Sequence, residues 1–391
     1  MIYQTPALPD EFLDVIANID KLRQQLNYTL QQSPHRWTGL LARSVMARAI
    51  QGSNSIEGYN FSVDDAIAAV EGEEPLDAEL KDRLELFGYR DAMSYVLQLA
   101  RDKHYTHNEG TTRSLHYMML KHDLTKNPGR WRPGQIWVKR EETGETVYEG
   151  PEVLEVPGLM NELIASLNLQ SDVPVMVRAA MAHLNLTMIH PFSDGNGRMA
   201  RALQTFVLAR EGVVDPRFSS IEEYLGGARQ AYYDVLAEVG RGAWHPENNP
   251  LPWIRFCLTA HYQQAELFLH RTSMLDRLWY KIETEVDAKG MKHRYIFAMA
   301  DAAVGFKVRN ATYRRLIKDL SDQMASRDLH ELSELGYLKP IGERRGRYYL
   351  AGDWLRKVAR EANVPRRITD PFVSGPRLEL ARHEPIQKQL L

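Results

Sequence analysis

The chain has a single cysteine among its 391 residues, Cys257, so an intramolecular disulfide framework is excluded and a reducing, cytoplasmic setting is expected. It has no terminal apolar segment of the signal-peptide kind, and nothing approaches the roughly 20 apolar residues of a membrane span. Membrane-embedded classes are therefore not expected. Internal repeats and low-complexity tracts are absent. So are the patterns G-x-x-x-x-G-K-[ST], H-E-x-x-H and G-x-S-x-G, which removes P-loop, zinc-protease and serine-hydrolase readings. Net charge is also small, at −2, but it is unevenly spread. Residues 276–391 hold 23 Lys+Arg against 16 Asp+Glu, and the remainder holds 26 against 35, so the C-terminal part is the one suited to an acidic partner. With 44% hydrophobic residues, a chain of this length can bury a full core and should form two or three domains.

What the chain does have is concentrated in one stretch, His190-Pro-Phe-Ser-Asp-Gly-Asn-Gly-Arg-Met-Ala-Arg201, which follows the apolar run Met181–Ile189. Gly195 and Gly197 allow close backbone approach, and the apolar spacing of Met199, Ala200, Leu203, Phe206 and Val207 predicts a helix immediately after them. A helix start presents unpaired N–H groups and the positive end of a dipole, a natural place for an anion. Arg198 and Arg201, three residues apart, share a face of that helix and could hold successive phosphates. Asp194 is a hard oxygen ligand suited to Mg²⁺, and His190 could accept a proton from a hydroxyl near neutral pH. Taken singly, Asp-Gly and Asn-Gly are ordinary turn dipeptides. Together, these residues point to attack on a nucleoside triphosphate.

The pattern H-x-F-x-D-G-N-G-R-x-x-R resembles, without a departure, the signature of Fic-domain proteins, most of which are AMP-transferases. The resemblance implies that His190 is the general base toward a Ser, Thr or Tyr hydroxyl and that Phe192 anchors the loop. It implies that Asp194 holds Mg²⁺ between the α- and β-phosphates, that Gly195, Asn196 and Gly197 form the anion nest, and that Arg198 and Arg201 contact the β- and γ-phosphates. ATP and Mg²⁺ are the implied cofactors. Upstream, a helical pattern from Gly39 closes at Ser53-Asn-Ser-Ile-Glu57-Gly58, resembling the family's inhibitory motif (S/T)-x-x-x-E-(G/N). Glu57 would then pair with Arg201 where the γ-phosphate belongs; an ordinary helix end is the competing reading of Ser53 and Glu57.

The rest of the chain reads as mostly helical. Helices are expected at 10–33, 63–70, 80–99, 111–121, 154–167 and 173–189, and His116 and His122, without ligand-like companions, read as structural or exposed. Residues 129–151 read as a β-hairpin, which in the family is a flap that holds the target segment by strand addition. Between Ser219 and Leu236, Tyr232 and Tyr233 match the family's tyrosine pair near the nucleotide base, with core packing as the alternative. Trp253–Phe268 is expected to close the catalytic part. Beyond it, helices at 294–304, 311–320 and from Ser321, followed by a hairpin with Arg344, Arg345 and Arg347, resemble a winged helix-turn-helix, a module for DNA or for protein docking.

The expected fold class is thus mainly α: a Fic helical fold with a short β-hairpin flap, plus a C-terminal winged helix-turn-helix domain. The expected domains are an N-terminal helical region (1–110, inhibitory helix about 40–58), a catalytic core (111–268), the winged helix (276–360) and a tail (361–391). The expected function is an autoinhibited protein adenylyltransferase acting on a target protein, self-modification included. Removal of AMP, transfer of another nucleotide monophosphate, and a nucleotide-sensing DNA-binding regulator remain as alternatives. A homodimer is implied only by family analogy.

Overall fold

The computed structural model describes residues 1–32, 37–75, 78–139, 144–210, 212, 216–343 and 346–373. In chain order the helices are α1 (Asp10–Gln32), α2 (Thr38–Ile56), α3 (Val63–Val70), α4 (Leu80–Leu99) and α5 (Glu109–Leu120). A hairpin of β1 (Trp137–Lys139) and β2 (Thr146–Glu149) follows, then α6 (Val156–Asn168), α7 (Val175–Ile189), α8 (Asn196–Ala209), α9 (Glu222–Gly227), α10 (Arg229–Gly240) and α11 (Leu251–Ala288). The chain ends with α12 (Tyr295–Ala303), α13 (Asn310–Leu316), α14 (Asp322–Glu334), β3 (Leu338–Ile341), β4 (Tyr348–Ala351) and α15 (Asp353–Ala362). The molecule is mainly helical.

The centre is α7. It is buried around nearly its whole circumference, from Val175 through Leu184 to Ile189, which is why its sequence is apolar rather than striped. It packs most extensively on α8, with α6 and α11 against its other sides. Each fully buried Leu, Ile or Phe of this cluster contributes about 1.5–3 kcal/mol of transfer free energy. The amphipathic α1 lies along α11 through Phe12, Val15, Ile16, Ile19 and Leu26.

Helix α2 meets α9 backbone to backbone. A Cβ at Gly226 would stand 2.6 Å from the Gly52 Cα, and one at Gly52 would collide with the Glu222 carbonyl, so this crossing needs glycine on both sides. The other end of α2 is tied by Arg43, whose Nη2 lies 2.6 Å from Asp301 on α12 and whose Nη1 lies 3.3 Å from Glu71. The β1–β2 pair is antiparallel, Trp137 opposite Glu149 and Val138 opposite Tyr148, with an irregularity after Val138.

Two helices depart from the periodicity. The pattern ended at Phe268 continues unbroken to Ala288, because Thr272, Leu275, Leu278, Trp279, Ile282 and Val286 keep an apolar stripe that α12 and α15 cover. The 219–236 segment is broken at Ala228 (φ −114°, ψ 33°) into α9 and α10. In the C-terminal part, Ser321 caps α14 by accepting from the Met324 N–H at 3.2 Å, and β3–β4 pair antiparallel, with Val308 bridging to Tyr349. Helix α15, packed on α11, had no counterpart in the sequence reading. Arg344 and Arg345 of the expected wing lie outside the described residues; Arg347 is exposed.

Candidate active site

The motif loop begins where α7 ends. His190 caps that helix in the left-handed region (φ 51°, ψ 57°), an unusual conformation for a non-glycine residue and one that functional sites favour. Its Nδ1–H donates to the Thr187 carbonyl at 3.2 Å, which leaves Nε2 as the nitrogen with a free lone pair. Burial lowers the imidazole pKa to about 4. At neutral pH the ring is therefore uncharged and able to accept a proton.

The loop is fixed from beneath and from the side. Phe192 is fully buried and stacks on His116, ring centroids 3.7 Å apart. The Asn196 side chain exchanges two 2.9 Å hydrogen bonds with the Phe192 main chain. His116 donates through Nε2 to the Asp194 carbonyl (2.9 Å) and accepts at Nδ1 from the Gly129 N–H (2.8 Å). The buried Arg132, at the foot of the hairpin, donates to the carbonyls of His190 (3.0 Å), Gly134 (2.7 Å) and Pro151 (2.5 Å). One guanidinium thus staples the loop to the hairpin.

Helix α8 starts at Asn196 after Gly195 (φ 75°) and has no side-chain cap, so its first N–H groups remain available to an anion. Arg201 is buried beneath this start. Its Nε donates to Ser53 Oγ at 2.7 Å, and its Nη2 donates to the Ser53 carbonyl at 3.0 Å and to Glu57 Oε1 at 2.6 Å. Burial alone would lower the Arg201 pKa, but the Glu57 charge and the neighbouring tyrosines Tyr232 and Tyr89 hold it above its usual value. The Glu57 side chain is 27% exposed. Its carboxylate lies over Gly197, where any Cβ would strike it and crowd Arg201 Nη1. Among the described residues Nη1 has no hydrogen-bond partner, nor has Arg198 Nε. Buried N–H groups without partners are costly.

Arg198 is paired with Glu85, fully buried on α4, and lies over the Tyr59 ring at 5.1 Å. Glu85 also accepts from Tyr59 Oη (2.8 Å) and lies 3.2 Å from Lys126 Nζ and 3.2 Å from His122 Nε2. Asp194 Oδ2 lies 2.7 Å from Lys126 Nζ, and its Oδ1 accepts from the Gly195 N–H at 2.6 Å. Burial would raise the Asp194 pKa; the Lys126 and Arg198 charges and the Gly195 hydrogen bond outweigh it and hold the carboxyl below its usual value. The uncapped helix start, the glycines and the two arginines fit a polyphosphate. Among the described residues no group of three or more His, Cys, Asp or Glu could hold a metal by itself. The fit at Asp194 is to a cation shared between one carboxylate and substrate phosphates, the usual arrangement for Mg²⁺.

Residues 107–208, from just before α5 to the end of α8, match the Fic/DOC family. The chain carries a Fic domain. Over 229 residues it is 28% identical to the "Protein adenylyltransferase Fic" of Nematostella vectensis, covering 58% of this chain and 49% of the relative. Over 263 residues it is 30% identical to the protein of that name from Culex quinquefasciatus, covering 66% and 48%. The chain thus spans about half the length of these curated relatives. Its fold resembles that of a Fic family protein from Desulfovibrio desulfuricans G20 (TM-score 0.59, 20% identity, 90% of this chain and 99% of that one). It also resembles a Fic domain containing signaling protein from Bacteroides thetaiotaomicron VPI-5482 (TM-score 0.53, 24% identity, 66% and 96%).

Within the Fic domain His190, Asp194, Gly195, Asn196, Gly197, Arg198 and Arg201 gather at one loop and helix start, and α2 brings Ser53 and Glu57 to them from outside it. Of the tyrosine pair, Tyr233 is 41% exposed and donates to the Ile56 carbonyl at 3.2 Å, whereas Tyr232 is closed in the core, its hydroxyl 3.0 Å from His183 Nε2. Only Tyr233 presents a ring face at the surface. His116 is structural, as expected for one of its two readings. Sequence reasoning missed Glu85, Lys126 and Arg132, which reach the Fic loop from elsewhere in the chain. The Arg-Trp-Arg run before the hairpin was the one visible hint.

Proposed function

We propose that the chain is an autoinhibited protein adenylyltransferase that uses MgATP. The observation that carries this reading is that the loop from His190 and the start of α8 come together, with Arg201 beneath that start and the Glu57 carboxylate held over Gly197 on Arg201. The first N–H groups of α8 with Arg198 and Arg201 bind the triphosphate; Asp194 is the residue that would hold Mg²⁺, which would supply neutralisation of phosphate charge. A Ser, Thr or Tyr hydroxyl of the target loses its proton to His190 Nε2 as its oxygen bonds to the α-phosphorus. The bond from that phosphorus to the β-phosphate oxygen breaks, and pyrophosphate leaves. The Arg132 staple keeps the β1–β2 edge beside the loop, where a target strand could pair. While Glu57 holds Arg201, the γ-phosphate lacks its guanidinium and the nucleotide cannot lie in line with the hydroxyl.

The C-terminal helices and the β3–β4 hairpin are read as a winged helix. The exposed side of α14 offers Gln323, Ser326, Arg327 and His330, as expected, but Asp322, Glu331 and Glu334 lie on the same helix surface. Asp322 is paired with Arg314 and Glu331 with Lys292, so this surface carries mixed charge and suits a protein partner as well as nucleic acid.

The test is incubation with ATP labelled on the α-phosphate and Mg²⁺, comparing the parent chain, Glu57→Gly and Glu57→Gly/His190→Ala. Label transferred chiefly by Glu57→Gly and lost in the double variant supports the reading. Transfer that survives loss of His190 refutes its role as base, and absence of label throughout refutes self-modification with ATP as donor and leaves another donor nucleotide or a regulator without catalysis.

A further inference from the structure

Lys126 closes a tight turn (Leu124–Lys126) that Asp123 caps by accepting from the Thr125 N–H at 3.1 Å, and Asn127 beyond it takes the left-handed conformation (φ 51°). The turn sets Lys126 Nζ between two carboxylates, 2.7 Å from Asp194 Oδ2 and 3.2 Å from Glu85 Oε1, while the side chain stays 22% exposed. Glu85 does not depend on this lysine, because Arg198 and the Tyr59 hydroxyl already hold it. Asp194 does depend on it, since among the described residues its other oxygen accepts from the Gly195 N–H alone. Asp194, Glu85, Lys126 and Arg198 make two negative and two positive charges, a cluster balanced before any nucleotide arrives.

That balance has a consequence for ligand binding. A divalent cation held by Asp194 would compete with Lys126 Nζ for the charge of that carboxylate. An ammonium displaced from Oδ2 on a flexible stem is left with Glu85 or with the incoming phosphate oxygens, and a lysine is a compact point-charge binder of phosphate.

We propose that Lys126 is a phosphate-binding residue of the nucleotide site, stored on Asp194 until nucleotide arrives, a role that rests on the nucleotide-binding reading above. It makes Lys126 a competitor of the metal for Asp194 and a ligand of the nucleotide in its own right.

The test uses ADP as probe and the full chain carrying Glu57→Gly, so that the inhibitory carboxylate does not interfere. ADP affinity is measured by titration calorimetry in EDTA and again with Mn²⁺ present. Lys126→Gln and Lys126→Met, the latter keeping the stem packing, should each weaken metal-free ADP binding about tenfold, the loss of one charge-assisted contact. Mn²⁺ should recover part of the ADP affinity in both, because no ammonium competes with it for Asp194, and Lys126→Arg should restore ADP binding in EDTA. Unchanged or tighter metal-free ADP binding in Lys126→Gln and Lys126→Met overturns the proposal and leaves the nucleotide site standing. No ADP binding by the parent overturns the nucleotide reading and this proposal with it.

Discussion

Removing the Glu57 carboxylate should activate the chain at a small expense of stability, and the geometry sets the size of both effects. Glu57 Oε1 is 2.6 Å from Arg201 Nη2, and the arginine is wholly buried while the glutamate is 27% exposed. A charge-assisted hydrogen bond contributes about 1.5–3 kcal/mol, and the partial exposure of Glu57 places this one at about 2 kcal/mol. If nucleotide binds productively only when that contact is open, the competent fraction is about one in 30, and apparent affinity falls by that factor. Glu57→Gly should then bind ATP about 30-fold more tightly and raise transfer similarly when ATP is scarce. Arg201 keeps its two contacts to Ser53, so unfolding free energy should fall by only about 1–2 kcal/mol. Calorimetric titration with a non-hydrolysable ATP analogue, beside a thermal melt, reads both. An unchanged dissociation constant with a lowered melting temperature would refute the competition and leave the pair as a structural tie.

His190→Ala should abolish transfer yet bind ATP within about threefold of the parent, because the imidazole serves the hydroxyl rather than the phosphates; calorimetry beside the labelling assay checks it. Asp194→Ala should lower turnover and flatten its dependence on Mg²⁺ concentration, and an unaltered metal titration would remove Asp194 as the ligand. Gly226→Ala should destabilise the fold by about 1–3 kcal/mol through overpacking on Gly52, whereas Gly227→Ala, with nothing within 4 Å of its added Cβ, should be close to neutral; chemical denaturation separates them. Burial lowers His107 and His116 to about 4 and His183 and His261 to about 3. These groups protonate near 6.5 when unfolded, so the unfolded state binds more protons as pH falls. Stability should decline from about pH 6.5 toward 4. Glu71 and Asp301, raised by burial to about 7 and about 6, act oppositely and offset part of the decline. Melting temperature against pH tests the net sign.

The motif loop was legible because its parts are contiguous: the glycines, the arginines at helical spacing and the histidine all lie within residues 190–201. Glu57 was legible only beside that motif, since a Ser and a Glu at a helix end carry no instruction about which arginine they will meet. Glu85, Lys126 and Arg132 escaped because they reach the site by packing of α4, a short turn and the hairpin foot, and nothing in their local sequence separates them from solvated charges. Tyr232 and Tyr233 show the complementary difficulty: adjacent in sequence, they face opposite environments, one core and one surface. Most helix limits followed apolar periodicity closely. The continuation of α11 past Phe268 did not, because its later stripe is covered by helices from much farther along the chain.

If Glu57 inhibits as proposed, the contact of Gly52 with Gly226 bears on how fast the site can respond. With backbone seated on backbone and Arg43 anchored to Asp301 at the far end, α2 cannot slide or roll without tearing a packed crossing. The Glu57 carboxylate, which begins just past the last residue of that helix, can leave by turning about its own side-chain bonds. Such turns take picoseconds to nanoseconds, whereas displacement of a whole helix takes microseconds or longer. A nucleotide would therefore meet a gate that opens briefly and often, and the resting state would be set by how long the carboxylate stays away rather than by how rarely it departs.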